Sequence, residues 1–232
     1  MMTPTLTFVR CLPRGRQPAG GGSSEAGLKK VWILGTALAA GWLIATAASA
    51  QAVIGQPAPA FSTVDANGKT VSLADFKGKH VVLEWVNPGC PYVQKHYNSG
   101  NMPATQKAAT AKGVTWLSVS STAKDAGDYH APKELVGWIQ GKGGAPSATL
   151  IDESGKIGRA YGARTTPHMY LIDPQGKLLY AGAIDSKPTS NPADIASATN
   201  YVTQAVGEAL AGKPISTPTS RAYGCSIKYA DG

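Results

Sequence analysis

Cysteine is scarce in this chain, with three in 232 residues, at positions 11, 90 and 225. So few thiols leave at most one intramolecular bridge once a leader is removed. Acidic residues are also few, 14 against 22 lysines and arginines, for a formal net charge of +8. Half of that excess sits in residues 1–50, where Arg10, Arg14, Arg16, Lys29 and Lys30 face only Glu25. The rest is mildly basic, and no basic cluster is interleaved with aromatics. Nucleic acid is therefore excluded as a partner. No recognised metal-ligand spacing links Cys90, His96, His168 and Cys225, and nothing in the chain calls for a cofactor.

Long apolar runs are rare too. The main one, residues 31–48, follows Lys29 and Lys30 and ends at Ala48-Ser49-Ala50. Positive charge, an apolar core and an A-x-A site make a secretory signal peptide, cleaved after Ala50. Ala and Gly dilute this run, which sets it apart from a membrane anchor of nearly spanning length. An uncleaved leader is the only membrane contact the sequence offers. Residues 1–27 are an oddly long stretch rich in Gly, Pro, Arg and Ser, and a translation start at Leu28 would shorten it. Export to the periplasm or cell envelope removes Cys11. It leaves Cys90 and Cys225 in an oxidising compartment that permits a disulfide.

What is present is organised around residues 81–93, V-V-L-E-W-V-N-P-G-C-P-Y-V. Val81, Val82, Leu83, Trp85 and Val86 read as a buried central strand. Asn87, Pro88 and Gly89 end it, and Cys90 falls at the start of a helix with Pro91 in its first turn. Unpaired backbone N–H groups and the helix dipole at that end favour thiolate, the reactive form of cysteine. Glu84 breaks the apolar run. A buried carboxylate six residues before Cys90 is a candidate proton carrier, and its alternative is an outward position on an edge strand, paired with a lysine. His96 reads either as an imidazole tuning Cys90 or as a solvated helix residue.

The stretch resembles the active-site strand and helix start of thioredoxin-like proteins, in their redoxin and peroxiredoxin-like (AhpC/TSA-type) branch. Two further stretches carry the same resemblance. One is the opening A-P-A-F…D-A-N-G-K-T-V-S-L-A-D-F-K-G-K from Ala58 to Lys79. The other is T-T-P-H-M-Y-L-I-D-P-Q-G-K from Thr165, which looks like the cis-proline loop and hairpin of that fold. The resemblance implies a mixed central β-sheet flanked by helices, with an N-terminal β-hairpin. It also implies a cis Thr166-Pro167 bond facing Cys90, with His168 nearby. The ending G-C-S-I-K-Y resembles the tail of a peroxiredoxin-like subgroup that also carries C-P-Y-V. Departures are plain. Val93 stands where a C-x-x-C motif has its second cysteine. Asn87 and Leu83 stand where peroxiredoxins have Thr or Ser and Pro.

Along the chain, residues 61–64 and 70–73 read as strands about an Asn67-Gly68 turn. Residues 92–112 read as a helix broken near residues 99–103, and 114–119 as a strand. A polar loop spans 120–130. A short helix over 132–140 and a strand over 148–151 follow, and residues 155–161 lead through Gly162 to the Thr165 stretch. Strands over 169–173 and 177–180 flank the turn at Pro174, and residues 191–211 form the terminal helix. The expected α/β domain is 51–212, with 1–50 as leader and signal and 213–232 as a tail that carries Cys225.

Three function classes follow. The first is a thiol-disulfide oxidoreductase with Cys90 as the reacting thiol and Cys225, on a mobile tail, as the resolving one. Its partners are protein thiols or disulfides, through a redox partner that the sequence does not name. The second is a thiol peroxidase with peroxide as substrate and Cys90 oxidised to sulfenic acid, which needs Arg159 or Arg164 at the thiolate. The third is a redox-inactive binding protein or metal carrier. Cys90, Cys225, Glu84 and Pro167 are the candidate site residues.

Overall fold

The computed structural model describes residues 51–230. The leader, the apolar run and the cleavage site lie outside the described residues. Nine strands and five helices follow in order. They are β1 (Ser62–Asp65), β2 (Thr70–Ser72), β3 (Val81–Trp85), α1 (Pro91–Asn98), α2 (Asn101–Thr110), β4 (Thr115–Ser120), α3 (Pro132–Gly141), β5 (Ala148–Ile151), α4 (Lys156–Tyr161), β6 (Thr165–Thr166), β7 (His168–Ile172), β8 (Leu178–Gly182), α5 (Tyr201–Leu210) and β9 (Cys225–Ser226). Among these helices none is long and apolar enough to cross a membrane.

Seven strands form one mixed sheet in the order β2-β1-β5-β4-β3-β7-β8. β3, β4 and β5 are parallel, whereas β7 runs antiparallel to β3 and β1 antiparallel to β5. The apolar run at β3 is thus central, with every residue buried. Alternation divides it between two faces. Val82 and Val86 join Cys90, Trp116, Met169 and Leu171 under α1, α2, α3 and α5. Val81, Leu83 and Trp85 join Leu117, Tyr170 and Ile172 under α4 and the N-terminal hairpin. This is the expected mixed α/β architecture.

Local signals explain most boundaries. β1 and β2 pair about the Asn67-Gly68 turn, where Gly68 has φ +81° and Asp65 Oδ1 accepts from the Asn67 and Lys69 N–H groups. The helix after Cys90 is broken as expected, at Ser99-Gly100. Pro103 falls in the first turn of α2, where its missing N–H is not needed. The expected single helix over 191–211 is instead a 3-10 segment, Pro192–Ser197, followed by α5. Asn200 starts α5 afresh by accepting from the Thr203 N–H at 2.9 Å, and Asn191 caps the 3-10 segment in the same manner. Two such caps within ten residues favour two short helices over one.

Candidate functional site

The β3–α1 turn sets Cys90 in place. Asn87 Oδ1 accepts the Gly89 N–H at 2.8 Å, and the Cys90 N–H bonds the Asn87 carbonyl at 3.1 Å. Cys90 is the N-cap of α1, with Pro91 next. Its side chain is only 2% exposed, and the thiol donates to the Thr166 carbonyl at 3.0 Å. Thr166-Pro167 is a cis bond. The sheet therefore brings Cys90 and the Pro167 loop into contact across 76 residues of sequence.

The tail packs against the same place. Cys225 in β9 pairs with Thr166 in β6, the residue whose carbonyl takes the Cys90 thiol. The Cys225 sulfur lies beside Cys90 and near the Tyr92 backbone N–H, in the first turn of α1. Both sulfurs thus gather at one helix end, each as a free thiol. Burial, then the adjoining Cys90, then the charge of Asp128 push the Cys225 thiol well above its ordinary range. Cys225 therefore keeps its proton beside Cys90.

Close backbone approaches hold the tail down. A Cβ at Gly224 would overlap the Thr166 carbonyl and lie 2.7 Å from its carbon, and Gly224 has φ +140°. At Gly182 a Cβ would lie 2.7 Å from the Ser220 nitrogen. The Tyr229 ring fills a notch over Gly155 and Gly158, and its hydroxyl donates to the Ala163 carbonyl at 2.6 Å. Arg159 stacks on that ring at 4.8 Å and donates to the Ser154 and Ala230 carbonyls. The segment expected to be a mobile tail is thus docked along residues 219–229.

The AhpC/TSA family matches residues 54–181, more than half of the chain. The chain belongs to the AhpC/TSA family. Among solved structures it is similar to a hypothetical protein of Sinorhizobium meliloti 1021, at 25% identity and a TM-score of 0.63, covering 78% of this chain and 96% of that one. An uncharacterized conserved protein of Geobacillus kaustophilus matches at 24% identity and a TM-score of 0.65, covering 78% and 94%. The thioredoxin domain of a thiol-disulfide oxidoreductase of Bacteroides vulgatus matches at 24% identity and a TM-score of 0.46, covering 62% and 96%. No curated protein matches. The fold is thioredoxin-like.

Within this AhpC/TSA fold, Glu84 is fully buried on the central strand, not outward on an edge. Oε1 accepts from the Tyr97 hydroxyl at 2.8 Å. Oε2 accepts from Trp116 Nε1 at 2.7 Å, Gln106 Nε2 at 2.9 Å and Ser118 Oγ at 3.2 Å. Burial raises its pKa above the usual carboxylate range, and the four donors pull against that. Tyr97, Gln106, Trp116 and Ser118 were not legible as its partners, because they come from three different elements.

His96 is not a solvated helix residue; it is fully buried. The Tyr223 hydroxyl donates to Asp185 Oδ1, so His96 Nε2–H donates to the Tyr223 oxygen at 3.1 Å, and Nδ1 accepts from Asn101 at 2.8 Å. Burial lowers its pKa, with Asp185 opposing and Lys95 adding to the fall. Lys95, also buried, lies 3.5 Å from Asp185 Oδ2 and donates to the Lys187 carbonyl at 2.9 Å. This cluster anchors Tyr223 two residues before Cys225. Tyr223→Phe should orphan the His96 N–H and cost about 1–3 kcal/mol. Urea unfolding checks the cost, and faster Cys225 alkylation checks the loosened tail. An unchanged midpoint and alkylation rate would remove the anchor role.

His168 lies on the opposite face of the sheet from Cys90, stacked on Tyr170 with ring centroids 4.7 Å apart. Its Nδ1 accepts the Arg164 N–H at 3.3 Å. Among the described residues no group of three or more His, Cys, Asp or Glu could hold a metal ion, so the four residues weighed as a soft metal site are not assembled into one. Burial, with the Arg164 charge second, lowers the His168 pKa to about 4. The unfolded chain takes up that proton near pH 6.5, so stability falls as pH drops from there towards 4. Glu84 has the opposite sign, since its native form holds a proton more tightly. The variant His168→Gln should therefore flatten the acid limb of stability without moving the neutral value by more than about 1 kcal/mol. Urea midpoints from pH 7 to 4 test this, and parallel curves for the two proteins would count against it.

Proposed function

We propose that this protein is an exported thiol-disulfide oxidoreductase in which Cys90 is the reacting thiol and Cys225 resolves its mixed disulfide. One observation carries the reading: β9 lays Cys225 against Thr166, whose carbonyl is 3.0 Å from Cys90 Sγ. The Cys90 thiolate attacks a substrate disulfide and forms the mixed disulfide, releasing one substrate thiolate. The Cys225 sulfur then attacks Cys90 and expels the second substrate thiol, leaving a Cys90–Cys225 disulfide. A donor dithiol restores the pair, and the same steps in reverse oxidise a dithiol. The raised Cys225 pKa supports this order, because a thiol that keeps its proton leaves Cys90 to react first.

Pro167 holds the Thr166 carbonyl against Cys90 in this scheme. Glu84 serves the site from below, tying β3 to α1, α2 and β4 through its four donors, with no hydrogen bond to either sulfur. Membership of the AhpC/TSA family keeps thiol peroxidase as a second reading. Against it, Arg159 is spent on the tail, and Arg164 is exposed with no hydrogen bond to Cys90.

Differential alkylation with mass mapping tests the proposal, before and after reductant and after an added protein disulfide. A reversible Cys90–Cys225 bridge is expected, and Cys225→Ser should accumulate substrate on Cys90. Free thiols at both positions throughout would sink it. Peroxide consumption faster than disulfide exchange would move the assignment to the second reading.

A further inference from the structure

Cys90 is 2% exposed, and Tyr223 and Cys225 of the tail pack on the cluster that holds it. A substrate disulfide reaches that thiol only after the tail has left this place. What the tail leaves is a strand position. β6 and β9 form a sheet of their own, with Thr165 opposite Ser226 and Thr166 opposite Cys225. The Ile227 N–H continues the ladder to the Arg164 carbonyl at 3.0 Å. Thr166 is only 4% exposed. With β9 lifted, its backbone groups lose their strand partner, and another extended polypeptide is what restores one. A small disulfide has no backbone to offer.

The docked tail also shows which residues fit there. Any Cβ at Gly224 would overlap the Thr166 oxygen, the same oxygen that takes the Cys90 thiol at 3.0 Å. The position before the cysteine thus lies hard against the reacting centre and takes glycine. One residue earlier, the Tyr223 ring packs edge-on against Tyr92, with centroids 5.8 Å apart. Its hydroxyl donates to Asp185 and accepts from His96, which are 2% and 0% exposed. Buried donor and acceptor together select a phenol. Ser226 is exposed and selects nothing.

The hold on this segment is releasable. β9 pairs over two residues only. Downstream, Lys228 Nζ pairs with Asp128 Oδ2 at 3.1 Å in the open, and Asp128 Oδ1 is, among the described residues, the one buried side-chain polar atom without a hydrogen-bond partner. An exposed ion pair contributes little, and an unpaired buried oxygen is unfavourable. Clefts of about 610 and 440 Å³ flank residues 220–222 and share Thr165 and Arg221 in their walls, so the strap has room to move.

We propose that Tyr223-Gly224-Cys225 is a built-in stand-in for substrate, and that the β6 edge admits in its place an extended protein segment with tyrosine and glycine directly before its reactive cysteine, a role that rests on the function proposed above. The two strands exchange. The incoming segment displaces β9 and sets its disulfide against Cys90. Cys90 Sγ bonds the segment's cysteine, and the other half leaves as a thiol with the Cys90 proton. β9 then returns to β6, Cys225 bonds Cys90 Sγ, and the segment leaves as a thiol with the Cys225 proton. One substrate disulfide becomes two thiols while two protein thiols become one disulfide, and no further reagent is consumed.

The test mixes the full chain with the peptide Ala-Tyr-Gly-Cys-Ser-Ile, its cysteine carried as a thiopyridyl disulfide. Thiopyridone release reads the loading rate, and mass mapping confirms Cys90 as the position. The peptide with alanine for glycine should load at least about tenfold more slowly, as a side chain held at that backbone angle and contact requires. The peptide with alanine for tyrosine should load about three- to tenfold more slowly, having lost its contacts with Asp185 and His96. In Gly224→Val, where the tail is freed, all three should load faster in the same order, because the order belongs to the β6 edge. Either alanine peptide loading wild type as fast as the parent would overturn the proposal, as would a parent rate no higher on Gly224→Val. Should Gly224→Val fail to fold, the wild-type series decides alone. If no activated disulfide loads Cys90, dipyridyl disulfide included, the underlying function is overturned instead.

Discussion

Gly224→Val should free the tail from the Cys90 site. Gly224 combines φ +140° with a backbone approach in which any Cβ meets the Thr166 carbonyl. Valine tolerates neither condition, since a β-branched residue in that region carries about 1–3 kcal/mol of strain before the overlap is counted. The least costly escape is for β9 to leave β6, because those two strands pair over only two residues. Cys90 alkylation should then rise at least about tenfold, and disulfide formation between Cys90 and Cys225 should slow by a similar factor, as a loss of about 1.4 kcal/mol or more in docking requires. The seven-stranded sheet does not include β9, so the main unfolding transition should barely move. Mass mapping after timed alkylation reads the first two effects. Unchanged Cys90 alkylation would mean that the tail does not guard this thiol.

Glu84→Leu should be the most destabilising single change near the site. The substitution removes the acceptor for four donors inside a fully buried pocket. The Tyr97 and Ser118 hydroxyls can rotate away, but Trp116 Nε1–H is donor-only and fixed, and the Gln106 amide is held at its other end by the Ala145 N–H at 3.0 Å. Stranding these donors should cost about 3–5 kcal/mol, partly offset because a buried carboxylate is no longer desolvated. Glu84→Gln keeps one acceptor oxygen where three donors converge and should cost about 1–2 kcal/mol. Urea unfolding at pH 7 separates the pair. Equal stability of the Leu and Gln variants would show that these hydrogen bonds do not hold the site together.

Much of this architecture was legible in local sequence. The V-V-L-E-W-V run announced a central strand because only a strand covered on both faces buries five consecutive side chains. Asn67-Gly68 announced a hairpin, and Pro91 and Gly100 bounded α1, since turn and cap chemistry acts over a few neighbouring residues. The resemblance supplied the cis Pro167 loop opposite Cys90. Failures came where partners are distant. A solvated position stayed open for His96 because its own helix gives no sign of Asp185 or Tyr223, which arrive from 89 and 127 positions away. Asp128 drew no notice in a polar loop, where a carboxylate is ordinary.

The sequence alone determined that Cys90 stands at a strand end and helix start, that Val93 withholds a neighbouring second thiol, and that a cysteine lies near the end of the chain, at position 225. Those facts are local, set by residue type and spacing along one element. Only the tertiary structure decided that Cys225 pairs with Thr166, that Glu84 is enclosed, and that Asp128 keeps a vacant oxygen beside the tail. The first depends on backbones that approach closely enough to exclude a side chain, as at Gly224 and Gly182. Packing between segments far apart in sequence fixes those approaches, and no local pattern encodes them.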